Sequence, residues 1–342
     1  MVTTQRPSIN DVARDAGVSK ATVSAVLNDK STVGRATRER VLQVIKQLNY
    51  RPGNLGARAR RRHRCVGLLI KEMDNPYYME IALGIRAYCR KHDYSVLVAS
   101  SEGDPEAERT AIEILCEQGA DGVVVTPVLD DDTDLSHLFE LKRRNVPFVL
   151  LEEIRGVKAS LVDVENVEAS KCAVEYLMAQ GHTRIVHFAG PRYSMHSEQR
   201  IDGVRRAFSR SSIMFPEEAI IPAGAHLEDG YRAGLEYFGG LSPEARPTGV
   251  TCYNDLVALG LCRALAELGL DVPGDVSVIG FDDLAILPYM GVPLTSVHVP
   301  KVEMGERATE MLIRQIEARK AVPPERISFD GELVVRGSTR PL

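Results

Sequence analysis

The chain is poor in aromatic residues and cysteine, and it contains no tryptophan. In 342 residues there are 11 Tyr, 8 Phe and six Cys. The missing Trp excludes no function. Cys65, Cys89, Cys116, Cys172, Cys252 and Cys262 show no paired spacing, so neither a disulfide framework nor a zinc site is expected. They read as small buried hydrophobes in a reducing cytosol. No apolar run approaches the ~18 residues of a helical membrane span, and no charged-then-apolar leader opens the chain. Signatures of catalysis are also missing. There is no Gly-x-Gly-x-x-Gly after a strand, no Walker phosphate loop, no His-Glu-x-x-His and no Gly-x-Ser-x-Gly. The adjacent pair Asp282-Asp283 is a poor acid–base couple, because neighbours at a strand end point in different directions and no nucleophile is evident. An enzyme is not expected, and neither is a cofactor or metal.

What is present is an uneven charge. The formal net charge of −5 hides a basic head on an acidic body. Residues 1–64 hold 14 of the 42 Lys and Arg but only 4 of the 47 Asp and Glu, a net of +10, leaving −15 for the remainder. A head of this kind suits a polyanion and supplies salt-dependent affinity for phosphates. The length permits two or three domains, and 44% hydrophobic residues are ample for packed cores.

Within the head, Ile9, Val12, Ala13 and Ala16 recur at helical spacing, with Ser8 and Asp11 placed as a capping box. Gly17 ends that helix. A second helix begins after Ser19 as N-cap, with Val18 stapled on Val23, and it turns Val23, Val26 and Leu27 inward. Lys20, Ala21, Ser24 and Ala25 are left on its outer face. Two short helices joined by a Gly-containing turn describe a helix-turn-helix, whose second helix enters the DNA major groove. A third helix from about 34 to 49 turns Val41, Val44, Ile45 and Leu48 to one side and closes the headpiece. Tyr50-Arg51-Pro52-Gly53 breaks it. The arginine-rich segment to Arg64 is too short and too like-charged for a stable isolated helix. It reads as a solvated linker or as a segment that folds when phosphates neutralise it.

From Cys65 onward, short β-rich runs alternate with helical ones. Strands are expected at 65–70, 94–99, 121–125, 146–151, 159–163, 184–189, 218–222, 248–252, 275–280 and 295–299. Helices are expected near 77–92, 105–118, 134–145, 166–181, 197–212, 229–239, 254–269 and 301–318. Such alternation means mostly parallel sheets covered on both faces, and ten or so strands suit two similar lobes. The class is α/β, with an all-α headpiece in front: residues 1–50 headpiece, 51–64 hinge, 65–342 a two-lobed core. Ligands in such folds sit at the carboxyl ends of strands, here the cleft between lobes.

The loops expected there are rich in polar groups. They are Asp74-Asn75-Pro76-Tyr77-Tyr78, Glu152-Glu153, Asp163, Gly190 to Ser194 leading to Arg200, Tyr253-Asn254-Asp255 and Phe281-Asp282-Asp283. Each has a purely structural alternative. Asp255 and Asp163 can cap helices, and Arg200 can simply pair with a carboxylate. Together they offer carboxylates, an Arg, amides and the aromatic faces of Tyr77 or Tyr193, which suits a ligand with many hydroxyls.

With these residues assembled, the chain resembles the LacI/GalR family of bacterial transcription regulators over nearly its full length. The matching stretches are Ile9-Asn-Asp-Val-Ala-Arg-Asp-Ala-Gly-Val-Ser-Lys-Ala-Thr-Val-Ser, Asn49-Tyr-Arg-Pro, Asp74-Asn-Pro-Tyr, Gly181-His and Ala189-Gly-Pro. Further along come Tyr253-Asn-Asp-Leu-Val-Ala-Leu-Gly, Val276-Ser-Val-Ile-Gly-Phe-Asp-Asp, Pro293-Leu-Thr-Ser-Val, Met304-Gly-Glu-Arg-Ala and Val335-Arg-Gly-Ser-Thr. The resemblance implies a periplasmic-binding-protein-like core that dimerises, a hinge helix, and a small effector that changes how two headpieces sit on a palindromic operator. It implies DNA contacts from Ser19, Lys20, Ala21, Thr22, Ser24, Ala25 and Asn28, and from Leu55, Arg58 and Ala59 in the hinge. It implies effector contacts from Asn75, Tyr77, Glu152, Tyr193, Arg200, Asn254 and Asp282.

Two departures stand out. Ala59 occupies the place where the family usually wedges a Leu into the minor groove, and a methyl group is too small to prise a base step apart. Gly56 weakens the hinge helix by about 1 kcal/mol relative to Ala. Leu55 either wedges in its stead or packs hinge against hinge, and the arginines at 58 and 60–62 compensate through backbone or minor-groove contacts. Ala225 or His226 stands where sugar-binding members stack an aromatic ring, which weakens the case for a pyranose. The resulting expectation is a cytoplasmic, nucleoid-associated homodimeric repressor released by a small metabolite, a sugar or sugar derivative. A co-repressor or activator mode is the rival within the family, and a solute-binding protein that has lost DNA binding is the rival outside it. No heptad tail follows the core, so a dimer is expected rather than a zipper-linked tetramer.

Overall fold

The structure, a computed structural model, describes residues 8–27, 30, 32–48, 50, 64–129, 134–318 and 322–342. It divides into two units, Met1–Arg64 and Cys65–Leu342. The hinge residues Leu55, Arg58 and Ala59, and Asn28 of the headpiece, lie outside the described residues.

In the first unit, α1 (Ile9–Asp15), α2 (Lys20–Leu27) and α3 (Arg35–Gln47) pack on one another. The Ser8 N–H donates to Asp11 Oδ2 at 2.8 Å and the Asp11 N–H to Ser8 Oγ at 3.4 Å, completing the capping box. Gly17 takes a φ of +62°, the left-handed turn that a Cβ would disfavour, and the chain reverses into α2. Ser19 Oγ then accepts the Thr22 N–H at 3.1 Å. The buried core of this unit is Val12, Ala13, Ala16, Val23, Val26, Val41 and Val44, all small, with Ile45 and Leu48 packed against it.

The second unit has two lobes. β1 (Cys65–Ile70), α4 (Pro76–Lys91), β2 (Ser95–Ser100), α5 (Pro105–Glu117), β3 (Gly122–Val125), α6 (Ser136–Arg143), β4 (Phe148–Leu150) and β5 (Ser160–Val164) build the first. α7 (Asn166–Ala179), β6 (Ile185–Ala189), α8 (Met195–Ser209), β7 (Ile220–Pro222), α9 (Leu227–Gly239), β8 (Gly249–Cys252), α10 (Asp255–Glu267), β9 (Ser277–Asp282) and β10 (Thr295–His298) build the second. The chain returns to the first lobe as α11 (Lys301–Glu317) and β11 (Arg326–Phe329), then crosses back as β12 (Glu332–Val334). The sheets run β11-β5-β4-β3-β1-β2 and β12-β10-β9-β8-β6-β7. Among the described residues all strand pairings are parallel except β10 with β12. β1, β3, β4, β5, β6, β8 and β9 are buried along their whole length, as parallel strands covered on both faces must be.

Helix pairs cover the sheets at very short range. A Cβ on Gly84 of α4 would lie 1.9 Å from the Val302 carbonyl oxygen of α11, and one on Gly260 of α10 would lie 2.0 Å from that of Leu227 in α9. Both positions need glycine because backbone meets backbone there.

The main corrections to the sequence reading lie at the end of the chain and in the cysteines. β11 and β12 are additional edge strands of four and three residues whose half-exposed, mixed sequences lack the continuous apolar run of the buried strands. The first part of the strand expected at 218–222 is a single 3₁₀ turn, Glu217–Ala219. Cys65, Cys89 and Cys252 are buried, but Cys116 and Cys262 are only partly covered and Cys172 is exposed. Burial raises the Cys89 and Cys262 thiols to about 12.

Candidate functional site

The carboxyl ends of the two sheets meet around a cavity of about 220 Å³, room for the equivalent of about seven waters. Asn75, Tyr77, Glu152, Arg200, Asn254 and Asp282 all line it, and Tyr193 does not. Tyr193 lies beside Arg192, whose guanidinium is 5.8 Å from its ring centre.

Glu152 follows β4 and is 2% exposed. Its carboxylate accepts from Lys71 Nζ at 2.6 Å and, across the cleft, from Ser194 Oγ at 2.6 Å. Burial works to raise its carboxyl, but the Lys71 charge, His196 and the two hydrogen bonds outweigh it and hold the group at about 2. Lys71 responds in kind: burial disfavours its charge, yet Glu152 raises its pKa. The pair is a zwitterion with its acid buried and its ammonium side chain 19% exposed.

Arg200 projects from α8 and is 4% exposed. Its Nε donates to Asn166 Oδ1 at 3.0 Å, and Nη1 donates to the Tyr253 carbonyl. The guanidinium lies 3.6 Å from the Phe281 ring centre and 4.8 Å from that of Tyr253. Nη2 reaches Asp282 Oδ1 at 3.9 Å, long for a hydrogen bond, so the Asp282 carboxylate keeps acceptor capacity toward the cavity. Burial pushes that carboxyl up to about 6 against the pull of Arg200 and Lys301. Asp282 also holds a φ of +112°, an uncommon conformation for a residue with a side chain. The buried Lys301 secures this bend: its Nζ donates to the Asp282 carbonyl, to that of Asp283 at 3.1 Å and to that of Val299 at 3.3 Å.

The two amides have structural duties as well. Asn75 Oδ1 caps α4 by accepting the Tyr77 N–H at 3.1 Å. Asn254 Oδ1 caps α10 through the Val257 N–H at 2.8 Å, while its Nδ2 donates to the Ala225 carbonyl. Asp255 is not a cap. It is fully buried and accepts from the Leu284 N–H at 2.8 Å and Ser296 Oγ at 2.6 Å, and burial keeps its carboxyl well above the usual range. Nor does Asp163 cap a helix: its Oδ1 meets His196 Nε2 at 2.8 Å across the cleft.

Lys71, Glu72, His196 and His226 also line the cavity and were not among the candidates. His196 stands four residues before Arg200 on α8, so helical spacing carried the signal. Lys71 and Glu72 follow β1 directly, where any strand-end search should begin. Thr126 and Val128, after β3, add to the wall.

On the headpiece, Ser19, Lys20 and Ala21 are exposed at the start of α2, and Thr22, Ser24 and Ala25 are half-buried on it. Ser19 Oγ lies 2.9 Å from Thr22 Oγ1, so both hydroxyls are partly engaged at the cap.

The profile for bacterial regulatory proteins of the lacI family matches residues 8–53, and that for the periplasmic binding protein-like domain matches 174–339. An HTH-type transcriptional repressor PurR of Vibrio vulnificus is 32% identical over 97% of this chain and 98% of its own length. The transcriptional regulator CelR in complex with cellobiose superposes with a TM-score of 0.71 at 30% identity, covering 97% of this chain and all of that one. The lac repressor dimer bound to operator and the anti-inducer ONPF gives 0.74 at 26% identity over 98% and 100%. Helix-turn-helix, two-lobed core and polar interlobe cavity therefore have one common explanation: the chain belongs to the LacI family of bacterial regulatory proteins and is a DNA-binding transcriptional repressor.

Proposed function

We propose that the interlobe cavity binds a small, neutral, polyhydroxylated effector, of the sugar or sugar-derivative class, and that its occupancy sets affinity for a palindromic operator read by a homodimer. The observation that carries this is the pairing inside the cavity. Lys71 faces Glu152, His196 faces Asp163 and Arg200 is stacked and hydrogen-bonded, so an anionic ligand would compete for cations already engaged. The Asp282 carboxylate and the N–H donors of Arg200 Nη2, a nitrogen 3.9 Å from it, suit hydroxyl groups, which both donate and accept. Asn75, Tyr77, Glu152 and Asn254 shape the wall around them. The site binds rather than turns over its ligand, and the protein works in the cytoplasm on nucleoid DNA.

In this reading residues 1–50 are the headpiece, 51–64 the hinge and 65–342 the effector and dimerisation core. Lys20 and Ala21 address base edges, with Ala25 one turn on offering apolar contact; Ser19, Thr22, Ser24 and Asn28 address phosphates or base edges. Leu55, Arg58 and Ala59 serve in the hinge.

A calorimetric panel of neutral monosaccharides against the full chain tests the cavity. Arg200→Lys keeps the charge but loses the planar fork, and should weaken the sugar that binds by at least about tenfold while sparing DNA affinity in its absence. Arg200→Ala should abolish the response. Unchanged sugar affinity in both would remove Arg200 from the site. Ala59→Leu tests the hinge: a restored wedge should raise specific over non-specific DNA affinity about tenfold, and no gain would mean that this operator is read without a kink.

A further inference from the structure

Among the described residues, carboxylates of the first lobe reach across to the second at several points, including a contact of Glu80 with the Ala285 N–H at 3.4 Å, and three of them meet side chains at the cavity. Glu152 meets Ser194 and Asp163 meets His196, both deep in the cleft, with side chains of the two acids 3% and 0% exposed. The third contact sits at the rim. Glu72 Oε1, from the loop after β1, lies 2.8 Å from Nε2 of His226, which precedes α9 and whose side chain is 52% exposed. We propose that Glu72 and His226 form a clasp across the mouth of the cavity, holding the lobes shut over an enclosed effector and parting to admit or release it. This rests on the cavity being the effector site.

The chemistry of the contact makes the clasp proton-dependent. His226 Nδ1 lies 2.9 Å from Asp229 Oδ2 while Nε2 faces Glu72. Ionised carboxylates only accept, and a neutral imidazole carries a single N–H, so both contacts are made only by the imidazolium. The facing groups are Glu72 from the first lobe and Asp229 from α9; Arg232 Nη2 holds the other Asp229 oxygen at 2.8 Å. Burial disfavours the charge on His226, but the hydrogen bonds and charges of Asp229 and Glu72 outweigh it and raise its pKa. The sign follows: the clasp is fully made below the ordinary histidine range and is lost as pH rises through the raised value. Asp229 also accepts the N–H groups of Ala225 and His226, so that half of the device is built into the start of α9. Glu72 is the half that moves with the other lobe. A second rim pair, Arg155 with Glu198, joins the lobes without a histidine and serves as an internal control.

The test is interlobe distance by pulsed electron spin resonance on the full chain without added sugar. Non-natural spin-labelled residues replace Glu106 and Glu228, one exposed site per lobe, and the labelled chain is diluted into unlabelled chain. In the otherwise native protein the closed population should fall about threefold between about pH 6 and pH 8.5. Glu72→Ala should abolish that change and give the open distribution throughout. Glu72→Gln, which keeps an acceptor but no charge, should give an intermediate and weaker dependence. A Glu72→Ala protein that closes as the native one does at pH 6 and opens alike at pH 8.5 overturns the proposal. The monosaccharide panel separates the underlying reading: a pH switch that depends on Glu72 with no sugar bound anywhere in the panel leaves the clasp standing and removes the sugar assignment. Sugar binding with no such switch does the reverse.

Discussion

The two lobes of the core are one topology used twice, and they differ in what they bring to the cleft. Each orders its first five strands alike, fifth-fourth-third-first-second, and each is edged by a strand from the end of the chain, parallel in the first lobe and antiparallel in the second. That common plan brings the carboxyl ends of two sheets to one cavity. The chemistry is divided, however. The first lobe contributes Glu72, Glu152 and Asp163 as acceptors, and the second answers with His226, Ser194 and His196. At these three contacts the first lobe accepts and the second donates, whereas the outlying pair Arg155–Glu198 runs the other way. The lobes also treat a buried histidine differently. His137 in the first has the Glu108 carboxylate at 2.7 Å from Nε2, whereas His187 in the second has only the Thr251 hydroxyl at 3.0 Å from Nδ1; the other ring nitrogen of each is buried without a partner.

The largest expected effect comes from breaking the first lobe's internal pair. Glu152→Gln leaves Lys71 charged in a mostly buried site without its counter-ion, and unfolding in denaturant should show a loss of about 3 kcal/mol. The double replacement Lys71→Met with Glu152→Leu should recover most of it, since replacing both partners removes the unmet charge. At acid pH the native pair fails in a defined window. The Glu152 carboxyl is held at about 2, so its contribution is complete above the ordinary carboxylate range and is lost as pH falls through that value.

Next in size is the glycine that each lobe uses to bring two helices together. Gly84→Ala and Gly260→Ala should each cost about 1–3 kcal/mol of core stability, because the added methyl meets a carbonyl oxygen in both. If one lobe tolerates the change and the other does not, the lobes are less alike mechanically than their topology suggests. The effect that is smallest near neutral pH, though it grows with acid, sharpens the histidine contrast. Burial, helped by the Arg200 charge, pulls His187 down to about 3. The unfolded chain therefore takes up a proton that the folded one refuses as pH falls below the ordinary histidine range. Stability should fall by up to ~1.4 kcal/mol per pH unit, and His187→Gln should flatten that slope. A slope unchanged in the variant would place acid sensitivity elsewhere.

Local features were readable from the sequence because their causes are local. Ser8 with Asp11, Gly17 and Ser19 each act over three or four residues, and the headpiece followed from them. The alternation of strands and helices revealed both lobes because most of their strands, however short, lie in continuous apolar runs that a parallel sheet buries. β11 and β12 were invisible for the opposite reason: two residues separate them, yet each is a strand only because a different sheet accepts it. Much of the polar lining was legible in the loops after strand carboxyl ends, which is how Arg200, Asp282 and Glu152 came into view, although Lys71 and Glu72 directly after β1 were passed over. The partnerships were not. Lys71 and Glu152 are 81 residues apart, and Glu72 and His226 are 154 apart. Nothing in either neighbourhood announces the other. Asn75 and Asn254 show a further limit, since a residue that caps a helix and lines a cavity gives one sequence signal for two duties.

The most direct test of the central claim is selection of genomic DNA fragments by the purified full chain at physiological salt. The account predicts recovery of a palindrome with half-sites about one helical turn apart. It further predicts that the bound fraction changes on adding the monosaccharide that binds the cleft, falling for an inducer and rising for a co-repressor. Binding that is indifferent to sequence, weakens steeply with salt and ignores every sugar would contradict it.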